Sequence, residues 1–201
     1  MIDSKKKSVM NFITRERVYR FSNECSESAL AKFLYSYFPK RVVDSILASF
    51  EVRIDTRCCY KGYYATVLVF KSKDGKIRDV KMTLFNPDTG MIVRDGDGDA
   101  LIQHTQKQNS HVEYESWPWG DKSYSLAKEL SKGYDLKKQP TLFGMQKINR
   151  AKRIGVVTSA VDAVVMSIID PHCTWLATGH EGKFGVALYH PNAVSYTHLR
   201  A

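Results

Sequence analysis

The residues best placed to do chemistry lie where a strand meets a helix, in RIGVVTSAVDAVVMSII (153–169). The first part of this stretch is typical of a buried strand and the last part of a helix, and the two meet at Thr158. Open α/β folds bind nucleotides outside the carboxyl ends of their strands, which is where this junction would lie. The junction carries no lysine, glycine loop or carboxylate, and the nearest acidic side chain is Asp162, one helical turn further on.

A glycine turn, ATGHEG (177–182), follows a second buried strand, CTWLAT (173–178). Backbone N–H groups in such a turn can face an anion such as phosphate, although a plain tight turn has the same sequence pattern. Strand, helix and strand in this order predict a βαβ unit and a parallel sheet. The candidate nucleic-acid contacts around this unit are Lys152, Arg153, Gly179, His180 and Lys183.

The charge of the chain favours an anionic partner. Lys and Arg number 30 against 21 Asp and Glu, which gives a formal net charge of +9. Such a balance is typical of proteins that bind nucleic acid, although an ordinary basic protein is the alternative. The segment RCCYKGYY (57–64) places Arg57 and Lys61 among tyrosines. These side chains could line a strand surface for single-stranded nucleic acid, while strand aromatics also serve simple packing.

Several other motifs are incomplete. DGDGD (95–99) has the alternation of a calcium loop, but the twelfth position counted from Asp95 is Gln106 rather than glutamate, so a solvated acidic turn is expected. The 4 cysteines form no Cys-x-x-Cys pair and the histidines show no metal spacing, so we predict no metal site and reduced thiols. No apolar run is long enough to span a bilayer, so we expect a cytoplasmic protein without a membrane partner.

The pattern along the chain predicts an α+β protein, in which a helical pair and an antiparallel meander precede a truncated α/β βαβ unit. Residues 25–50 indicate two helices joined at Pro39, with Tyr37 and Val42 among the inward-facing residues. Residues 63–70 and 77–85 indicate strands joined by a hairpin turn, and MIV (91–93) could add another. The predicted division is a basic arm (1–24), the helical pair with antiparallel strands (25–93), a loop-rich linker (94–140), a partial α/β domain (141–193) and a non-native tail (194–201).

The tail, VSYTHLRA (194–201), fits none of these patterns. It looks like translated sequencing-adapter sequence, and we expect the natural chain to continue beyond about Ala193. One βαβ unit cannot cover both faces of a sheet, which also favours a truncated domain.

Three segments in the second half resemble a known family. LFG (142–144), IGVVTSAVDAVVMS (154–167) and WLATGHEG (175–182) follow one another as in the Toprim-like domain family of primase-related proteins on bacterial mobile elements. That family typically has Leu-Phe-Gly-Glu, a strand ending in Val-Glu-Ser-Glu-Lys-Thr-Ala, and Trp-Leu-Ala-Thr-Gly-Gly. Upstream, ALAKFLYSYFP and KMTLFNPDTG resemble its opening helix and a later strand and turn, so that the resemblance runs from about Phe21 to about Asn192.

The resemblance implies a small parallel sheet between helices, a glutamate that acts as general acid or base, and an Asp-x-Asp pair that holds Mg²⁺. Thr158 occupies the position of that glutamate, and Ala160 and Val161 replace the following glutamate and lysine. Asp162 keeps a carboxylate nearby, and His180 replaces the second glycine of the turn. A threonine hydroxyl cannot shuttle protons near neutral pH. The scaffold is therefore predicted to be retained while the reaction centre is lost.

Three functional hypotheses remain open. The first is a catalytically impaired, primase-related protein that binds DNA or RNA, as a single strand or a primer–template, in replication or mobilisation of an element. The second is an active Mg²⁺-dependent nucleotidyltransferase or nuclease that uses Asp162 and carboxylates beyond the fragment, with Mg²⁺ as cofactor only in that case. The third is a module that binds other replication proteins, with its charge incidental.

Overall fold

The computed structural model describes residues 8–93, 101–105, 112–116, 124–125, 130–131, 134–136, 141–149, 152–179 and 193–195. Within these ranges the chain has the α+β composition that the sequence predicts, with helices, an antiparallel sheet and a parallel sheet. In chain order the elements are β1 (Ser8–Met10), α1 (Arg15–Val18), a 3₁₀ turn (Cys25–Glu27), α2 (Ala29–Tyr35), α3 (Lys40–Ser49), β2 (Arg53–Tyr60), β3 (Tyr63–Lys71), β4 (Ile77–Thr83), β5 (Leu101–Thr105), β6 (Val112–Ser116), β7 (Tyr124–Ser125), β8 (Tyr134–Leu136), a second 3₁₀ turn (Met145–Lys147), β9 (Arg153–Val157), α4 (Ala160–Ile169), β10 (Cys173–Ala177) and β11 (Ala193–Ser195).

The predicted helical pair consists of α2 and α3. Ser28 caps α2, because its Oγ accepts a hydrogen bond of 3.1 Å from the N–H of Ala31. Pro39 separates the helices and precedes the first turn of α3, where its missing N–H costs nothing. The side chains that the pair buries completely include Leu30, Leu34, Val43 and Leu47.

Three details of the prediction are wrong. Tyr37 is 66% exposed, because α2 ends at Tyr35 and the helical period no longer applies beyond it. Val42 is 39% exposed, because Val43 takes the inward position in the first turn of α3. Residues 91–93 form no strand, since an isolated bridge between Phe85 and Ile92 replaces the predicted ladder.

The antiparallel sheet has the order β6-β5-β2-β3-β4-β7. Its central hairpin joins β2 to β3 through Lys61 and Gly62, whose φ angles are 49° and 80°. Two left-handed residues between strands suit the right-handed twist of a hairpin, and glycine adopts this conformation without strain. The hairpin between β3 and β4 confirms the predicted turn at residues 73–76.

The βαβ unit is formed by β9, α4 and β10, as predicted. The two strands are parallel, and their register runs from Cys173 opposite Arg153 to Ala177 opposite Val157. The strand β11 pairs in parallel with the other edge of β9. Val194 and Ser195 of the predicted non-native tail lie within β11. The origin of the tail and the domain boundaries remain predictions.

One hydrophobic core joins the helical pair, the antiparallel sheet and the βαβ unit. The ring of Phe143 stacks on Phe50, with centroids 4.8 Å apart and planes 6° apart. The same ring meets Phe70 of β3 at 5.4 Å and an angle of 59°. Trp175 of β10 is buried in this core against Gly155, where an added Cβ would lie 2.5 Å from the indole ring.

A second core lies on the other face of the antiparallel sheet. Leu68 and Phe70 of β3 belong to the first core, and the alternate residues Val67 and Val69 belong to the second. The N-terminal segment covers this second face with the buried side chains of Ile13, Val18 and Phe21. None of the helices in the described ranges has the length and apolar character that crossing a bilayer demands.

An ion pair connects the end of α3 with β3. The Lys71 side chain is only 3% exposed, and its Nζ donates to the carboxylate of Glu51. Glu51 has a φ of 53°, and the N–H groups of Glu51 and Val52 donate to the carbonyls of Ala48 and Leu47 at 2.9 and 3.0 Å. This is the hydrogen-bond pattern of a helix end at which glycine is the usual residue. Here a glutamate takes that position and neutralises a buried ammonium group.

We expect Phe143→Ala to lower the free energy of unfolding by about 3–5 kcal/mol, because it leaves a cavity between two aromatic rings. Urea unfolding followed by circular dichroism measures this loss. Met91→Ala is the control, since Met91 is 69% exposed and its loss should change stability little. Equal effects of the two substitutions would contradict the central position of Phe143.

Glu51→Gln should lower the free energy of unfolding by about 2–4 kcal/mol, because it leaves the Lys71 ammonium without a counter-charge. The expected loss of unfolding free energy is smaller than for a fully buried pair, because the Glu51 side chain is 35% exposed. Thermal and urea unfolding at neutral pH provide the measurement. Glu27→Gln, at an exposed glutamate, is the matched control. A loss no larger than that of the control would show that Lys71 does not need this carboxylate.

Candidate nucleic-acid interface

The candidate site lies where β9 and β10 end. The N–H of Thr178 donates to the carbonyl of Val157 at 3.0 Å, and the N–H of Gly179 donates to the carbonyl of Thr158 at 2.9 Å. Gly179 has a φ of 69°, which favours glycine at the start of the turn. The structure thus brings Thr158 and Gly179 together at one edge of the parallel sheet. The N–H of Gly179 already has a partner and does not face an anion.

Asp162 lies in the first turn of α4 and takes part in capping the helix. Ser159 is the N-cap, and its Oγ accepts a hydrogen bond of 3.1 Å from the N–H of Val161. Burial raises the pKa of Asp162 above its ordinary value, while a hydrogen bond with the Ser159 backbone acts in the opposite direction. Asp162 is the third residue of the helix, and an acidic side chain there is favoured by the positive end of the helix dipole. The carboxylate is therefore half-buried at the start of α4, beside the N-cap residue.

Lys81 is a cation at this edge that the sequence analysis did not identify. A Cβ built on Gly179 would lie 3.3 Å from Lys81 Nζ and 3.4 Å from the ring of Phe70. The same Nζ lies 5.4 Å from the centroid of the Phe70 ring, within the range of a cation–π contact. Lys81 comes from β4, and only the packing of the two sheets places it against the turn. No local sequence signal connects these distant positions.

Lys152 and Arg153 lie at the opposite end of β9 from Thr158. Arg153 lies four positions before Val157 in β9, a distance of about 13 Å at the usual rise per residue. Lys152 Nζ donates to the carbonyl of Pro171 at 2.8 Å, and Arg153 is exposed. These two cations are therefore not part of the arrangement around Gly179.

Arg57 and Lys61 lie on the β2–β3 hairpin, and each has an acidic partner. Arg57 binds the carboxylate of buried Asp55 through Nε and Nη2, at 2.9 and 2.7 Å. Lys61 Nζ lies 2.8 Å from Asp88 Oδ2, and both of these side chains are exposed. Of the neighbouring tyrosines, Tyr60 packs against the second core and Tyr63 against the first. The predicted strip therefore contributes to packing as well as to the surface.

The predicted contacts His180 and Lys183 lie outside the described residues, as does the acidic segment 95–99. In the part of the chain that the structure describes, no group of three or more His, Cys, Asp or Glu residues could hold a metal ion. The functional groups at the junction are thus a hydroxyl, a capping carboxylate and the ammonium of Lys81.

The mixed fold with its βαβ unit places the chain among α+β proteins. A match to a family model defines its class more narrowly. The family described as Domain of unknown function (DUF6371) matches residues 28–191, and the chain belongs to this family. No curated protein matches the chain.

Two solved structures are similar at low identity. One is a chain in the complex of bacteriophage T7 lagging-strand DNA polymerase with the primase domains of two gp4 subunits, an RNA/DNA hybrid and dTTP. The two chains are 15% identical with a TM-score of 0.42, and the match covers 79% of this chain and 55% of that one. The other is the DnaG catalytic core, with 11% identity, a TM-score of 0.42 and coverage of 90% and 58%. The chain thus spans little more than half the length of either, and similarity at this level supports no functional conclusion.

Ser159→Ala should lower the free energy of unfolding by about 1 kcal/mol, because the N-cap oxygen of α4 is lost. The urea midpoint measures this change, and Ser45→Ala is the control at an exposed position within α3. Alanine favours helix interiors, so the control should be neutral or slightly stabilising. Unchanged stability in Ser159→Ala would contradict the capping arrangement.

Proposed function

We propose that this chain binds nucleic acid and is catalytically impaired at the Thr158 junction. The observation that carries the proposal is the ammonium of Lys81 beside Gly179 at the carboxyl edge of the parallel strands. Glycine at this position lets the ammonium lie close to the turn, and phosphate is the anion that a strongly basic chain most often meets. The net charge of +9 supports the same partner.

The absence of catalysis is proposed from the residue types at the junction. The hydroxyl of Thr158 neither carries protons near neutral pH nor offers a metal a charged oxygen. Asp162 lies in the first turn of α4, after the N-cap residue Ser159. Thr158 is therefore not suited to be the general base of phosphodiester chemistry, and Asp162 lies one helical turn beyond the position that such a base would occupy.

The sequence resemblance extends the proposal to a primase-related, Toprim-like protein of a bacterial mobile element. It rests on LFG (142–144), IGVVTSAVDAVVMS (154–167) and WLATGHEG (175–182). The strand, helix and strand over the last two segments have the parallel arrangement that such a domain requires. The role that follows is to hold a DNA or RNA strand during replication or mobilisation, together with replication proteins.

Binding of the full chain to labelled single- and double-stranded DNA, at low and physiological salt and with or without Mg²⁺, tests this function. Binding that weakens steeply with salt and ignores Mg²⁺ is the expected result, because contacts to phosphates release counterions. Absence of binding at low salt would contradict the proposal and favour a protein–protein module. Binding that requires Mg²⁺, or cleavage of the strand, would favour the active enzyme.

Lys81→Met should weaken nucleic-acid binding by about 1 kcal/mol, or roughly fivefold in Kd, because one charged contact to phosphate is lost. The slope of log K against log salt should fall by about 0.7–0.9 for the same reason. Fluorescence anisotropy titrations at several salt concentrations measure both quantities. Lys32→Met, at an exposed lysine of α2, is the control and should leave both nearly unchanged. Equal behaviour of the two variants would remove Lys81 from the interface.

A further inference from the structure

A separate cationic surface lies around Tyr19, beside the second core. We call it the arginine–tyrosine patch and define it by Tyr19, Arg20, Arg53 and Arg57. The guanidinium carbon of Arg53 lies 4.2 Å from the centroid of the Tyr19 ring. Tyr19 is nevertheless 47% exposed, which is unusual for an aromatic side chain that already has a stacking partner. The ring is thus supported on one side and accessible to solvent.

The main chain holds the patch in place. Arg53 is the first residue of β2, and its Nη1 donates to the carbonyl of Phe21 at 2.8 Å. The segment before β2 is tied to the same strand, because Ser22 and Ile54 exchange backbone hydrogen bonds of 3.1 and 2.9 Å. A base that stacks on Tyr19 would therefore meet a ring whose position is already set, which reduces the entropy lost on binding.

The residues that follow Tyr19 in the chain help to form a cavity of about 210 Å³, whose lining consists of Arg20, Phe21, Ile54, Asp55, Thr56 and Arg57. This volume is below the roughly 300–1,000 Å³ of pockets that enclose a whole drug-sized ligand, and it suits partial insertion of a flat group. Asp55 is the one carboxylate in this lining, and Arg57 neutralises it. Arg20 adds a second guanidinium to the lining, 5.0 Å from the centroid of the Phe21 ring.

We propose that the arginine–tyrosine patch binds an unpaired base of single-stranded nucleic acid. The base stacks on the part of the Tyr19 ring that Arg53 leaves uncovered, and the adjoining phosphate lies against the exposed side chain of Arg20. Aromatic and guanidinium surfaces of this kind bind bases that are free to leave their neighbours, which duplex bases are not. This inference rests on the proposed function and adds that the strand is single.

Titration of the full chain with labelled oligo-thymidine and with a duplex of the same length tests the patch. Tyr19→Ala should weaken binding of the single strand by roughly 5- to 150-fold, which is the range of one lost stacking contact. Tyr19→Phe keeps the aromatic ring, so its Kd for the single strand should stay within about twofold of that of the native chain. Tyr37→Ala is the matched control, because Tyr37 is a more exposed tyrosine on the helical pair. Circular dichroism and the urea midpoint verify that each variant is folded.

The outcomes separate this inference from the proposed function. Loss of single-strand binding in Tyr19→Ala, with little change in duplex binding, supports the patch. If Tyr19→Ala binds as tightly as Tyr37→Ala while Lys81→Met still weakens binding, the patch is wrong and the proposed function stands. If the native chain binds neither probe, both fail. Equal competition by a poly-glutamate peptide would overturn the patch as a nucleic-acid site and indicate an acidic protein partner.

Discussion

The contact of Phe143 with Phe50 and Phe70 is the interaction on which the rest of the fold depends, because it joins three units that are far apart in the sequence. Phe50 ends α3, Phe70 lies on β3, and Phe143 precedes the βαβ unit. Phe143 also exchanges backbone hydrogen bonds of 2.8 and 3.0 Å with Ala177 at the end of β10. The aromatic cluster is therefore connected directly to the end of β10. The next residue, Gly144, has a φ of 85°, and an added Cβ there would lie 2.8 Å from the Phe50 ring.

This core also determines the candidate site. Phe70 contacts Phe143 on the inside of the molecule and lies below the Lys81 ammonium near Gly179. A cation–π contact holds the lysine close to a ring that is itself fixed by the core. The stability of the core and the proposed contact of Lys81 with an anion thus depend on the same aromatic side chain. The surface around Tyr19 is independent of this arrangement, because it lies beside the second core on the opposite face of the sheet.

The sequence predicted those helices and strands whose periodicity and turn residues lie within a short stretch of the chain. The helices separated by Pro39, the hairpin at 73–76 and the βαβ unit belong to this group, since periodicity and turn residues determine them. The strand β2 was missed, because RIDTRCCY does not alternate cleanly between apolar and polar residues and its register breaks between Asp55 and Cys59. At the site, the sequence placed Thr158 and Gly179 after two strands that it predicted to be parallel, but Lys81 and Tyr19 depend on contacts between distant segments and have no local signal.

The helix end at Glu51 shows two requirements in conflict at one position. Its backbone conformation suits glycine, while the buried Lys71 requires a carboxylate at the same place. Glycine there would relieve the backbone but strand the ammonium, and alanine or glutamine would satisfy neither need. Few single substitutions can therefore be accepted at residue 51, and a change at Lys71 would have to come first. The ion pair thus constrains the order in which substitutions at residues 71 and 51 can be tolerated, although the two residues are far apart along the chain.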